Sequence, residues 1–230
     1  MALSSWLLAL GSRNWMGDDR LAGPRAKSQE PRAKPIVGLV GQVCAGKSTV
    51  ADAFRRRGAQ VYDADASVAE IYTRPAVIKE VRRLFGPGVI GANGRVDRKA
   101  LAKIVFADAA KLKALTSRIV FPRTGKEIAK ELERFKASAA PLLLLDAPTL
   151  FESGREGLCA RIVFVTAPLE RRIAWAAARG WDGGELEQRE SRMMNAAAKR
   201  AKADFIIDNS GTPGEVDKQV GEIVSSLTQA

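Results

Sequence analysis

Ile36-Val37-Gly38-Leu39-Val40-Gly41-Gln42-Val43-Cys44-Ala45-Gly46-Lys47-Ser48-Thr49 reads as a buried strand, the spacing G-x-x-x-x-G-K-S, and a helix in immediate succession. The order matters because a glycine-rich turn lets successive backbone N–H groups converge on phosphate oxygens at a helix N-terminus. There the unpaired donors and the helix dipole both favour an anion. Gly41, Val43, Cys44, Ala45 and Gly46 would line the turn, Lys47 would reach the β/γ-phosphates, Ser48 would ligate Mg²⁺ and Thr49 would carry the contacts into the helix. A chance match on a Gly/Ala-rich turn is the competing reading. The apolar run before the turn and the helix-compatible Thr49 to Phe54 after it argue against that, since strand–loop–helix context is what confirms the motif. The stretch predicts a nucleoside-triphosphate site.

A chain of 230 residues has room for one substantial α/β domain with an insertion, not two full domains. Its formal charge of +11 suggests a polyanionic partner: a nucleotide, a phosphorylated coenzyme or nucleic acid. Residues 1–34 hold six Lys/Arg against three Asp/Glu, so most of the excess sits in the remaining chain. Nucleic acid is the weakest of the three, because the basic residues are dispersed and aromatic content is 6%. There is no histidine, so a general base must come from Asp, Glu, Lys, Tyr or Cys. Cys44 and Cys159 lie far apart without metal-type spacing, which implies neither a disulfide framework nor a zinc site. No run approaches the roughly 18 apolar residues that span a bilayer. Trp6 to Leu10 is too short and lacks a basic n-region, so a cytoplasmic protein without membrane association is expected.

Residues 1–34 mix Gly, Pro, Ser, Arg and Lys without sustained periodicity and predict a flexible or disordered extension, or a mis-called start, before a domain spanning 35–230. Gly58 is placed to end the first helix, and Gln60 to Asp65 reads as a second strand. If the backbone stays extended, Asp63 and Asp65 project to one face at the strand's carboxyl end, where open α/β sheets place ligands. A surface loop, or Asp65 as a plain helix cap, fits the same residues. From 66 to 137 there is no convincing strand and the apolar spacing is helical, broken at Gly86-Pro87-Gly88, with Asp97 able to cap a helix through Phe106, which predicts a helical subdomain that could hold a second substrate. Leu142 to Asp146 is a fully apolar run closing on a carboxylate. Asp146 is placed to hold Mg²⁺ directly or through water, the alternative being a cap for the next turn. Ile162 to Val165 and Phe205 to Ile207 predict two further strands. Between them, over 168–200, lies a lid-like region in which Leu169, Ile173 and Ala177 form a packing stripe while Arg172, Trp175 and Arg179 share a neighbouring face. Those arginines could reach a transferring phosphoryl group, or form an ordinary solvated face. Thr212, Pro213 and Glu215 open a last helix as cap, first residue and third residue. The order predicts an α/β protein of P-loop NTPase type: a three-layer fold around a five-stranded parallel sheet, with a helical acceptor-binding insertion and a lid.

Several blocks together resemble the dephospho-CoA kinase family over roughly Ile36 to Val220. They are the phosphate loop, Val61 to Asp65, Phe85 to Ile90 with Gly94 to Arg98, Asp146 to Gly154, and Ala203 to Asn209. The resemblance implies transfer of the ATP γ-phosphoryl group to the ribose 3′-hydroxyl of dephospho-CoA, the last step of coenzyme A synthesis, with ATP and Mg²⁺ as cofactors. It assigns Asp65 as the base with Asp63 beside it at the acceptor, Lys47 to the phosphates, Ser48 to Mg²⁺, and Arg172 and Arg179 to the lid. Asn209 would lie near adenine. The substrates are the only partners this implies, with no nucleic acid or membrane and a monomer or weak homo-oligomer. The chain departs from the family pattern at Gln42 and Cys44, where glycine is usual, at Phe121 for a usual His, at Met193 for a frequent Gln, at Thr149 for a usual Leu, and over Asn195 to Lys199, where acidic residues are missing. These changes are expected to alter acceptor binding or turnover. Another small-molecule kinase, or a non-catalytic nucleotide-binding regulator, remains an alternative on sequence alone. Lys47→Ala is expected to abolish ATP-dependent transfer in an ADP-release assay, and near-normal turnover would rule out the phosphate-loop assignment.

Overall fold

In the computed structural model, which describes residues 34–182 and 184–228, the five apolar runs form β1 (Ile36–Gly41), β2 (Gln60–Asp63), β3 (Leu143–Asp146), β4 (Arg161–Thr166) and β5 (Phe205–Asp208). They pair in the order β2-β3-β1-β4-β5, parallel throughout. Most of the N-terminal extension expected from sequence lies outside the described residues. Parallel neighbours require crossovers: those after β1, β2 and β4 carry α-helices, that after β3 only a short 3₁₀ turn (Glu156–Leu158), and β1, β3 and β4 are buried along most of their length.

On one face α1 (Lys47–Arg56) and α10 (Pro213–Thr228) close over the sheet, joining Val50, Phe54, Val216 and Val220 to Val37, Leu39, Leu144, Val163 and Ile207. Gly58, at φ 79°, ends α1 in the left-handed conformation its position requires. Thr212 and Glu215 form the expected reciprocal cap at the start of α10. On the other face Ile128 of α6 (Phe121–Ala137) packs with Val40, Leu145, Leu150, Ile162 and Phe164.

The insertion is helical as expected, with α2 (Ala64–Ile71), α3 (Pro75–Phe85), α4 (Arg98–Phe106) and α5 (Ala109–Leu115) preceding α6. It has a core of its own around Val68, Ile71, Val77, Val81, Leu101, Leu115 and Ile119. Asp97 caps α4 by accepting from the N–H groups of Lys99 and Ala100. The last part of the chain adds α7 (Leu169–Ala177), α8 (Glu185–Glu190) and α9 (Ala196–Ala201).

Two local expectations are corrected. The second strand stops at Asp63, whose carboxylate accepts from Ala66 N at 2.9 Å and caps α2. Asp65 is therefore a first-turn helix residue, and the two aspartates do not share a strand face. Helix α7 is also turned relative to its apolar pattern: Leu169 and Ile173 are 51% and 50% exposed, while Arg172 and Ala176 face inward. The reason is tertiary, since the phosphate loop offers Arg172 a carbonyl and α8 offers it a carboxylate.

Candidate active site

Strand register brings the site together. Asp146 at the end of β3 lies opposite Leu39 of β1 and Asp63 of β2, so the loop leaving β1, the cap of α2 and the Asp146 carboxylate meet at one edge of the sheet. Within the loop, Cys44 at φ 58° and Gly46 at φ 83° both take the left-handed conformation, which turns the chain into α1 at Lys47. Gly46 also has a packing reason. A Cβ there would meet the Asn209 amide nitrogen at 2.2 Å, because Asn209 is buried and donates Nδ2–H to Ala45 O at 3.0 Å. Gln42 fastens the loop's entry, its Oε1 accepting from Thr166 Oγ1 at 2.7 Å and Ala167 N at 3.2 Å.

Lys47 Nζ lies 2.6 Å from Asp146 Oδ1. Burial pulls the ammonium down, but Asp146, Asp65 and Asp63 together hold it above its ordinary value, so it stays charged. Asp65 is 9% exposed. Burial drives its carboxyl up to about 7 despite the opposing Lys47 charge, with Asp146 and Asp63 adding to the rise. A carboxyl with that affinity for a proton is suited to general-base work near neutrality. Ser48 stands exposed in the first turn of α1 beside Thr49, both at the helix N-terminus.

Two arginines reach the loop from α7 and the turn that follows it. Arg172, buried on α7, donates from Nη1 to Glu190 Oε1 at 2.5 Å and to Val43 O at 3.4 Å. Arg179 Nη1 lies 3.4 Å from Cys44 Sγ, and its guanidinium stands 5.9 Å from the Trp181 ring centre. Burial, opposed chiefly by Arg179, pushes the Cys44 thiol up, so it is held protonated. Lys47, Asp63, Asp65 and Asp146 thus form one cluster, with Arg172, Arg179 and Asn209 bracing the loop around it. Sequence reasoning did not single out the roles of Gln42, Glu190 or Lys199. Gln42 was visible only as a residue other than glycine, and the partners of Glu190 and Lys199 lie on other elements, which local spacing does not reveal.

A sequence profile of the dephospho-CoA kinase family matches residues 35–215. The chain belongs to this family. A dephospho-CoA kinase from Thermus thermophilus is 38% identical over 194 residues, covering 84% of this chain and 92% of that protein. One from Aquifex aeolicus is 37% identical over 196 residues, covering 84% and 97%. A crystal structure of a Thermus thermophilus protein superposes with a TM-score of 0.75 at 36% identity, over 86% of this chain and 100% of that one. The dephospho-CoA kinase from Campylobacter jejuni shares the fold at a TM-score of 0.59 and 19% identity, over 85% and 98%.

Against the pattern of the dephospho-CoA kinase family, two of the departures fall in the same place. Cys44 and Met193 are buried in a single apolar cluster with Val43, Ala176 and Leu186, flanked by Trp175 and Trp181. Phe121 stands at the first position of α6, where Arg155 donates to its carbonyl at 3.0 Å and lies 5.7 Å from its ring centre.

The raised Asp65 carboxyl links site to stability. Its native affinity for a proton exceeds the unfolded one, so its stabilising contribution is full below about 3.8 and is lost as pH rises through about 7. Asp65→Asn is therefore expected to raise the melting temperature at pH 8 and to change it little at pH 4. A fall at pH 8 in thermal unfolding would show that the carboxylate is a stabilising partner there.

Proposed function

We propose that this chain transfers the γ-phosphoryl group of ATP to the ribose 3′-hydroxyl of dephospho-CoA, giving coenzyme A and ADP, with Asp65 as the base. The observation that carries the reading is the buried Asp65 carboxyl, held near neutrality beside the Lys47–Asp146 pair at the phosphate loop. Loop N–H groups and Lys47 cradle the β/γ-phosphates. Asp65 accepts the proton that the acceptor hydroxyl loses as its oxygen attacks phosphorus, and the oxygen bridging the β- and γ-phosphates leaves with ADP. Asp63 fixes the start of α2 and so the direction of Asp65, at the edge of the insertion that would receive the acceptor. Most of the acceleration comes from positioning and charge, because little covalent work is left to the protein.

Ser48 and Asp146 would hold Mg²⁺. A hydroxyl beside the helix N-terminus and a strand-end carboxylate are the hard oxygen donors that ion takes. Among the described residues no group of three or more His, Cys, Asp or Glu could hold a metal by itself, in keeping with an ion held largely by substrate phosphates. When bound, it would neutralise charge on the phosphates. Arg172 and Arg179 would act through the loop they grip, Val43 and Cys44 being their contacts. Asn209 would support the nucleotide from beneath Ala45. In this reading the positive charge serves phosphorylated substrates and not nucleic acid, and the working unit is a monomer or weak homo-oligomer. No helix among the described residues is long and apolar enough to cross a membrane.

The test is ADP release with Mg²⁺-ATP, with and without dephospho-CoA, followed by mass spectrometry for coenzyme A. Acceptor-dependent coenzyme A formation is expected, and ATP binding without any coenzyme A would contradict the reading. As the base must be deprotonated, kcat/KM is expected to rise with pH through about 7 and then level. Asp65→Asn is expected to lower kcat by about 100-fold or more while ATP affinity stays within about threefold. An unchanged rate would mean that Asp65 is structural.

A further inference from the structure

Lys199 is 1% exposed, on a short helix otherwise built largely of alanine. Its ammonium donates to Pro148 O at 2.7 Å and lies 2.7 Å from Glu152 Oε1. The same Glu152 oxygen accepts from Met194 N at 3.0 Å, while Glu152 Oε2 is buried without a hydrogen-bond partner. Three segments meet at this node: the turn that leaves β3 immediately after Asp146, the last turn of α9, and the link from α8 to α9. Burial pulls the Lys199 ammonium below its ordinary value, Glu152 opposes the fall, and the charge on nearby Lys47 adds to it. The node therefore sits close behind the phosphate-binding lysine without touching it.

Stability gives no reason for charge at this place. Desolvating two ions costs free energy that apolar side chains of similar volume would not, and replacing such a pair is often neutral or stabilising. What the pair does provide is direction, because the ammonium selects one carbonyl and one carboxylate oxygen and the carboxylate selects one backbone N–H. Each contact engages the turn that follows Asp146, through Pro148 or Glu152.

We propose that Lys199 and Glu152 are positioning residues for phosphoryl transfer: they hold the Asp146–Pro148 turn against the α8–α9 link and so set the Asp146 carboxylate against Lys47. The inference rests on the kinase reading given above. Neither residue contacts Lys47, Asp65 or Asp146 directly through any hydrogen bond seen among the described residues, so their effect passes through the backbone of the turn.

The experiment replaces both charges together, Lys199→Met with Glu152→Leu, and measures melting temperature, ATP affinity, kcat for coenzyme A formation and the Mg²⁺ concentration giving half-maximal rate. The expected result is a melting temperature at or above that of the parent, ATP affinity within about threefold, kcat lower by about 30-fold, and a raised Mg²⁺ requirement. Parental kcat and Mg²⁺ dependence in a folded double variant would overturn the proposal. Glu152→Gln retains the shape and the acceptor oxygen while removing the charge, and is measured in case the double variant fails to fold. It is expected to lower kcat by about 5- to 10-fold, and an unchanged kcat would equally overturn the proposal. The parent protein is assayed alongside: absence of coenzyme A there contradicts the kinase reading itself, a result distinct from a parent that turns over and a variant that matches it.

Discussion

Everything at this site depends on the contact between Lys47, the first residue of α1, and Asp146, the last residue of β3, which lie 2.6 Å apart. A lysine carried on a phosphate loop is long and flexible, and it would lose much of its directing power if it were free to wander. The carboxylate fixes it. That arrangement exists only because β1 pairs directly with β3, which the chain reaches only after α1, β2 and the whole helical insertion. The helical insertion is therefore part of the constraint, since its last helix packs Ile128 onto the sheet beside Leu145, one residue from Asp146.

The same contact shapes the charge balance around Asp65. With Lys47 and Asp146 neutralising each other in part, Asp65 is left with a burial cost that its neighbours do not cancel, and its carboxyl stays near neutrality. Asp65 is thus stabilised too little as an anion to be an inert partner. Natural active sites often accept such a cost where the group has chemical work to do. The region around α7 and α8 contributes differently: Arg172 and Arg179 grip the loop through Val43 and Cys44, while the apolar cluster that includes Cys44, Leu186 and Met193 packs the loop against it. The loss of glycine at 44 is accommodated by a left-handed residue whose side chain gains packing partners.

Much of this was legible in the sequence, and the limit is physical. The strand–loop–helix unit could be read because strand burial, glycine-type turn geometry and helix start are local properties, and the strand-end place of Asp146 could be read because a fully apolar run closing on a carboxylate is the pattern of a buried parallel strand. The relation of Asp63 to Asp65 could not, because a capping aspartate and a strand-end aspartate have the same local sequence, and only the packing of α2 decides between them. The face of α7 was misread for a similar reason. Leu169 and Ile173 set up an apolar stripe, but the partners of Arg172 lie 129 and 18 residues away in sequence and override it. Lys199 gave no local signal, since its partners Pro148 and Glu152 belong to the turn after β3.

The most direct test of the account is a crystal structure of the protein with dephospho-CoA, Mg²⁺ and a non-hydrolysable ATP analogue. The account predicts the ribose 3′-hydroxyl within hydrogen-bond distance of the Asp65 carboxylate and in line with the γ-phosphate, with Lys47 on the β/γ-phosphates. An acceptor hydroxyl that approaches the γ-phosphate with Asp65 turned away, and no other change in the loop, would contradict it.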